Sequence, residues 1–291
     1  MAKFEISIAL GAYNRKWLVK LCIQSIRDNG ITVPYEVIVV DGGSTDGTLE
    51  WLIKQSDIIT IVQHNREVVN GESRMKHSWG YFMNLVFEAS HGKYICMVSD
   101  DCIVHPGAIM NGYRLFEAAG SLRIGACAFY FRDYPRERRY KVGYTLGGKL
   151  FVNHGLFRRD VLEEVGWIDE DRYRFYHADG DLCLRIWERG YGIIDCPDAK
   201  VEHYADLADL VRTRNYEAAN QNQDWQRYLE RWEGIFCTPV GGETGGWILL
   251  EGVANDKLAQ AFLRHRPARV FQRLRQLLRQ AKSHLRRAIA R

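Results

Sequence analysis

The sequence predicts an α/β protein with a mostly parallel sheet covered by helices on both faces. Three observations carry this. Short apolar runs alternate with helical patterns through the first half of the chain. The links between them are short, which suits right-handed crossovers. One run, Tyr35 to Val40 (YEVIVV), is almost continuously apolar, as expected of a strand buried on both faces.

Each element follows from its own pattern. Glu5 to Leu10 reads as a strand. Lys16 to Asn29 reads as a helix, with Leu18, Leu21, Cys22 and Ile26 at helical spacing and Gly30 as its stop. After the strand Tyr35 to Val40, Ser44 to Thr48 supplies turn and cap residues for a helix through Leu49, Leu52 and Ile53. Ile58 to Val62 is a third strand. Ser78 to Ser90 is helical and His91-Gly92 stops it. Tyr94 to Val98 is a fourth strand, and Pro106 to Ala119 is helical, with Pro106 near the first turn. The second half is less regular: strands over Ile124 to Phe131, Lys149 to Asn153 and Gly192 to Asp195. Its helices run over Arg159 to Val165, Asp179 to Arg189 and Asp206 to Trp232, with a flexible loop at Gly241 to Gly246.

Composition narrows the function. The chain has 291 residues, 46% hydrophobic and 26% charged, enough for a real buried core. No apolar run approaches the about 18 residues of a spanning helix, and no signal peptide is read at the N-terminus. The seven cysteines are widely spaced and no Cys-x-x-Cys occurs. Neither a disulfide framework nor a zinc site is expected, and free thiols in a reducing cytoplasm fit better. The net charge of +4 is a tail property: Lys257 to Arg291 is dense in Lys and Arg and has no Asp or Glu, so the rest is net acidic. With no recognition motif, nucleic-acid binding is not expected.

In a parallel sheet, ligands gather at the carboxyl ends of the strands, so the polar residues there are the candidates. Ser99-Asp100-Asp101 follows the fourth strand. Two adjacent carboxylates at a buried strand end need a positive partner, and a divalent cation shared with phosphate oxygens supplies one; a helix-capping turn is the plainer reading. Asp41 to Thr48 follows the second strand as a glycine-rich turn. Asp41 there can accept an N–H from a base, and Ser44 or Asp46 can cap the next helix. Asp179 opens a helix, whose dipole favours the ionised carboxylate. It either caps that helix or serves as a general base. His203 is either a satisfied structural histidine or a ligand completing a cation site.

Taken in order, these segments resemble the family 2 glycosyltransferases of the GT-A fold. The matching pieces are Ser7 to Arg15, Val39 to Thr48, Asn84 through Gly92 to Ile95, Ser99-Asp100-Asp101, Gly166 to Glu170, and Asp179-Gly180-Asp181-Leu182 with Arg185. The resemblance covers about residues 4 to 204. The resemblance implies inverting transfer of a sugar from a nucleotide diphosphate, with a uridine donor first in order, to a saccharide or lipid-linked saccharide. Under it Tyr13 and Asp41 would hold the base, Asn84 would support the nucleotide pocket, and Arg74 would be a basic contact to base or phosphate. Asp100 would contact ribose or metal. Asp101 would bind Mn²⁺ or Mg²⁺, with His203 as second ligand. Asp179 would be the general base, and Trp167 and Asp181 would meet the acceptor. It further implies a transferase domain over 1–235, with a nucleotide-binding half over 1–104 and an acceptor-binding half over 105–235, and a helical extension over 236–291. Three positions depart from the family pattern: Gly42 replaces a second Asp, Val98 replaces the first acid before Asp100, and Ala178 replaces a Glu before Asp179.

The sequence from Pro267 to Arg291 carries an apolar stripe (Phe271, Leu274, Leu278, Leu285) ringed by arginines. A basic amphipathic helix of this kind lies on the inner face of an anionic membrane, or packs on this domain or on a second copy of the chain.

Overall fold

The computed structural model describes residues 4–120, 122–204, 218–237 and 246–263. The first half is built as β1 (Ile6–Ala12), α1 (Lys16–Arg27), β2 (Tyr35–Asp41), α2 (Thr48–Leu52), β3 (Ile58–Val62), a hairpin of β4 (Arg66–Val69) and β5 (Glu72–Met75), α3 (Trp79–Ala89), β6 (Tyr94–Met97), β7 (Cys102–Val104) and α4 (Ala108–Ala118). The second half adds β8 (Ile124–Asp133), β9 (Lys141–Thr145), β10 (Lys149–Leu150), β11 (Gly155–Arg158), α5 (Arg159–Val165), α6 (Ala178–Glu188), β12 (Gly192–His203), α7 (Ala218–Trp232), β13 (Trp247–Leu249) and α8 (Lys257–Leu263).

The main sheet runs β10-β9-β8-β11-β6-β1-β2-β3, with β12 beside β8 and β7, and β13 beside β9. The expected parallel sheet is its first half: β3, β2, β1 and β6 are all parallel. β11 then runs antiparallel to both β6 and β8, so the second half is mixed. The strand expected over Lys149 to Asn153 ends at Leu150, because the following residues turn to begin β11. The strand expected over Gly192 to Asp195 continues to His203. Pro197 is accommodated because the β8–β12 register shifts between Cys196 and Lys200, where no ladder bond is demanded of it.

Alternation in β1 divides the core between the two faces. Ile6, Ile8 and Leu10 pack with Val19, Ile23 and Ile26 of α1 and Ile109 and Phe116 of α4. Ala9 faces the other way, with Ile38, Val40 and the α3 residues Phe82, Val86 and Phe87. Gly92 lets the turn before β6 lie directly on β1: a Cβ there would stand 2.5 Å from the Ser7 amide nitrogen. All seven cysteines are unpaired thiols, and six are buried.

The stretch beyond residue 235 is built onto the sheet where it is described. Trp247–Leu249 pairs with β9, and the Leu250 amide donates to the Tyr140 carbonyl. The sequence over 267–291 lies outside the described residues. Among the described residues, no helix is long and apolar enough to cross a membrane.

A buried ionic knot joins β8 to β12. Arg132 Nε and Nη2 donate to both oxygens of Glu202, at 2.7 and 3.0 Å, and Nη1 donates to Asp256 at 2.9 Å. The Tyr140 hydroxyl also donates to Glu202. Burial pushes the Glu202 carboxyl up, but hydrogen bonds from His105 and Arg132 outweigh it and the net shift is downward from 4.5. A depressed carboxyl adds stability above its unfolded value and loses it as pH falls through its folded value. Glu202→Gln is therefore expected to lower unfolding free energy at neutral pH by about 3 kcal/mol. The loss should shrink as the wild type is taken below pH 4.5, a trend read from denaturant melts across pH.

Candidate active site

The sheet register collects the polar loops at one edge. Ala12 lies opposite Asp41, and Ala9 lies opposite Met97, so Tyr13, Gly42 and Ser99 to Asp101 all emerge together. They line a cavity of about 280 Å³ with Arg15, Arg66, Phe82, Met83, Asn153, Phe175 and His203. The two loops after β1 and β2 are stitched by their own side chains. Asn14 donates its amide to Ser44 Oγ at 2.9 Å, and its Oδ1 accepts from the Thr45 amide at 2.7 Å. Asp46 caps two helices, accepting from the Lys16 amide of α1 at 2.9 Å and the Thr48 amide of α2 at 3.0 Å.

Tyr13 forms the cavity wall beside Gly42. A Cβ on Gly42 would stand 3.2 Å from the Tyr13 ring and 3.4 Å from Phe82, which leaves no room for an acidic side chain without repacking. The Arg66 guanidinium lies 4.4 Å from the Tyr13 ring centroid. Asp41 is fully buried; its Oδ1 accepts from the Gly43 and Ser44 amides at 2.9 and 2.7 Å. Its Oδ2 is buried without a hydrogen-bond partner among the described residues.

The acidic pair is buried and held by cations. Arg15 Nη1 donates to Asp100 Oδ1 at 2.7 Å and to Asp101 Oδ2 at 3.1 Å. His203 arrives because β12 pairs antiparallel with β7, which sets His203 directly opposite Cys102. Its Nε2 is 3.4 Å from Asp101 Oδ1, and its Nδ1 is 2.7 Å from Asp133 Oδ1 at the end of β8. Burial pushes Asp100 up to about 6 against the pull of Arg15. Burial acts on Asp101 in the same sense, but the charges of His203 and Arg15 outweigh it and hold this carboxyl well below the usual range. Burial alone would lower His203, yet Asp101 and Asp133 raise it to about 9.

These residues fit a divalent cation. Asp101 Oδ1 is buried and lacks an aligned hydrogen bond among the described residues, although His203 Nε2 stands close by. A carboxylate oxygen and an imidazole nitrogen at that separation are hard and borderline donors suited to Mn²⁺. The same set serves Mg²⁺ less well, since Mg²⁺ favours oxygen ligands throughout.

Asp179 stands at the start of α6, reached through Asn153. Asn153 lines the cavity with Asp101 and His203, and its side chain lies close enough to Asp179 to pull that carboxyl's pKa downward. Burial pushes Asp179 up from its ordinary range; the Gly180 amide, His177 and Asn153 oppose this only in part. A raised carboxyl is the direction a general base needs. The loop before α6 is pinned from α7: the buried Asp224 accepts the amides of Arg174, Phe175 and Tyr176 at 2.9, 2.8 and 2.9 Å. That places Phe175 in the cavity wall, where its ring is 6.3 Å from Trp79.

The profile described as glycosyl transferase family 2 matches residues 7–166. The chain belongs to this family. Among solved structures, it is similar to a mannosyltransferase of Pyrobaculum calidifontis, PcManGT, in complex with GDP-Man and Mn²⁺. That match has a TM-score of 0.56 at 17% identity and covers 81% of this chain and 66% of the other. It is also similar to residues 1–349 of S. aureus TarS, with a TM-score of 0.52 at 14% identity, over 79% of this chain and 72% of that one. These likenesses identify the fold as that of the GT-A glycosyltransferases. Curated relatives include an uncharacterized Sinorhizobium fredii protein, y4gI, 24% identical over 232 residues, and a putative glycosyltransferase of Bacillus subtilis, EpsH, 21% identical over 173 residues. The chain spans only 24% of the first and 48% of the second.

Within this family frame, several expected site residues sit elsewhere than the cavity. Asn84 is a brace: its Nδ2 donates to the Ile168 carbonyl and Glu170 Oε2, and its Oδ1 accepts the Ile168 amide. It holds the Gly166 to Glu170 segment to α3, whose neighbouring Phe82 and Met83 line the cavity. Arg74 is exposed, and it is Arg66 of the same hairpin that lines the cavity. In the hairpin Arg66 pairs with Met75 and Glu67 with Arg74, so the two arginines occupy opposite faces. Trp167 is half-buried and packs against the core, 6.4 Å from the Phe87 ring, rather than in the cavity wall. Asp181 is fully buried and accepts from the Tyr173 hydroxyl, Trp232 Nε1 and Arg185 Nε. Two residues along a helix turn about 200°, so Asp181 points into the core when Asp179 points to the loop. Packing therefore leaves Asp181 no free oxygen face for an acceptor, while Trp167 stands half-buried outside the cavity wall. Arg15 closes the matching Ser7 to Arg15 segment, whereas the placements of Arg66, Asn153, Phe175 and Asp224 carry no local signal in the sequence, since each reaches the site through a contact distant in the chain.

Proposed function

We propose that the chain is an inverting glycosyltransferase. It moves a sugar from a nucleoside diphosphate to a hydroxyl of a saccharide or lipid-linked saccharide, assisted by a divalent cation, Mn²⁺ or Mg²⁺. The observation that carries this is one cleft joining Tyr13 and Gly42 at one end to Asp100, Asp101 and His203, with Asn153 linking onward to Asp179. The Mn²⁺ and GDP-Man named for the Pyrobaculum relative support the same reading.

Tyr13 stacks on the base, and Asp41 Oδ2, buried behind Gly42 of the cavity wall and unpartnered among the described residues, accepts a base N–H. A uridine donor heads the candidates from the family resemblance, and GDP enters through the Pyrobaculum relative. Asp101 and His203 hold the cation and Arg15 faces the diphosphate. When bound, the cation takes up the charge of the departing nucleoside diphosphate. Asp179 removes the proton of the incoming hydroxyl as its oxygen attacks the anomeric carbon. The bond from that carbon to the diphosphate oxygen breaks with its electron pair leaving on the diphosphate, so one in-line displacement inverts the centre. The Arg-rich sequence over 267–291 suits an acceptor presented at an anionic membrane.

A thermal-shift panel of UDP, GDP and dTDP with Mn²⁺ or Mg²⁺, followed by donor hydrolysis, tests this. One nucleotide should stabilise only when the cation is present, by about 2.7 kcal/mol at 100 times Kd. No shift with any pair would overturn the reading. Binding without sugar release from any donor would favour a non-catalytic binding protein on this scaffold.

A further inference from the structure

We propose that Cys102, His154 and His203 form a transition-metal site that takes Zn²⁺. The site itself stands apart from the transfer reading; only its competition for His203 rests on that reading.

Three separate elements bring the donors together, which explains why no metal-binding spacing appears in the sequence. Cys102 opens β7, His154 immediately precedes β11, and His203 ends β12. Antiparallel pairing sets Cys102 and His203 directly opposite, on one face. One ligand atom from each of the three residues lies within 4.8 Å of the others. Cys102 Sγ is 3.6 Å from His154 Nε2 and 3.9 Å from its Nδ1, so the imidazole must turn for one nitrogen to aim its lone pair at an ion beside the sulfur. A tetrahedral ion with Zn–S of about 2.3 Å and Zn–N of about 2.0–2.1 Å separates sulfur and nitrogen by about 3.6 Å.

The outer shell has the form such a site needs. Asp133 Oδ1 engages His203 Nδ1 at 2.7 Å, fixing the ring and leaving Nε2 as the donor atom. Phe131 closes the pocket, with its ring edge-on to His154 at 5.4 Å and to His203 at 6.1 Å. Cys102 and His154 are both about 1% exposed, so water is scarce. One sulfur and two imidazoles suit Zn²⁺, whereas Mg²⁺ requires oxygen donors. Three protein ligands leave a fourth position open. Binding releases the Cys102 thiol proton and the His203 Nε2 proton to solvent and changes no oxidation state. Zn²⁺ seated here holds His203 Nε2 and withdraws it from the cation at Asp101, so zinc opposes Mn²⁺-supported nucleotide binding.

The test uses Co²⁺ as the probe, added to the chelator-treated full chain without nucleotide. One equivalent should produce a thiolate-to-cobalt charge-transfer band and intense tetrahedral d–d absorption. Zn²⁺ should abolish both, and Mg²⁺ should not. Cys102→Ser should lose the charge-transfer band, while Cys237→Ser, at the half-buried thiol, should keep it. His154→Gln should weaken Co²⁺ binding by more than the about 10–100-fold cost of losing an outer-shell partner; it carries the test should Cys102→Ser fail to fold. Absence of the band in folded wild type, or its persistence in Cys102→Ser, overturns the proposal. Because no nucleotide is present, a negative result here leaves the transfer reading untouched, and failure of the nucleotide panel leaves this site untouched.

Discussion

Asp179→Asn is expected to cut sugar transfer by about 10²–10⁴-fold, the share that positioned acid–base chemistry supplies. The substitution keeps side-chain size and removes the proton acceptor. Asp179 lies beside the nucleotide cavity rather than in its wall, so the cation-dependent thermal shift by nucleoside diphosphate should persist. A turnover assay on the donor identified by the panel, paired with that shift, separates the two roles. Turnover within a few-fold of wild type would remove Asp179 as the base. Attention would then pass to His177, whose ring burial holds below its ordinary range and so keeps neutral. Loss of both turnover and shift would mean instead that the α6 start is structural.

Asp101→Asn is expected to abolish the cation-dependent part of nucleotide binding, and transfer with it. A cation neutralising a departing diphosphate contributes several kcal/mol, so the activity loss should rival that of Asp179→Asn. The two differ in signature, since Asp101→Asn loses the Mn²⁺-supported thermal shift and Asp179→Asn keeps it. The substitution also leaves Arg15 and His203 facing one carboxylate fewer, so His203 should fall from about 9 toward its ordinary value. That drop is measurable by NMR titration of the imidazole in the metal-free protein. An unchanged Mn²⁺ shift in Asp101→Asn would place the cation elsewhere.

Much of the nucleotide end is legible in the chain's local patterns. Strands β1, β2 and β6 are apolar runs whose ends must meet at one sheet edge; Asp41 closes β2, and Tyr13, Asp100 and Asp101 lie in the loops after β1 and β6. The acceptor side is less so. Trp167 and Asp181 stand near the candidate base in sequence, yet helix rotation and core packing carry them away from the cavity. The choice between Arg66 and Arg74 depends on which face of a hairpin meets Tyr13, and that hairpin has no strong apolar alternation to announce it.

Local patterning thus determined the alternating elements, the edge where the strand-end loops converge, and the acidic pair within them, because periodicity and turn chemistry act over a few residues. Tertiary structure alone decided the antiparallel turn at β11, the arrival of His203 beside Asp101, the bridge from Asn153 to Asp179, and the meeting of Cys102 with His154. Each of these joins residues many positions apart. Such meetings are settled by which strands pair and in what register, a property of the packed sheet that no short window of sequence contains.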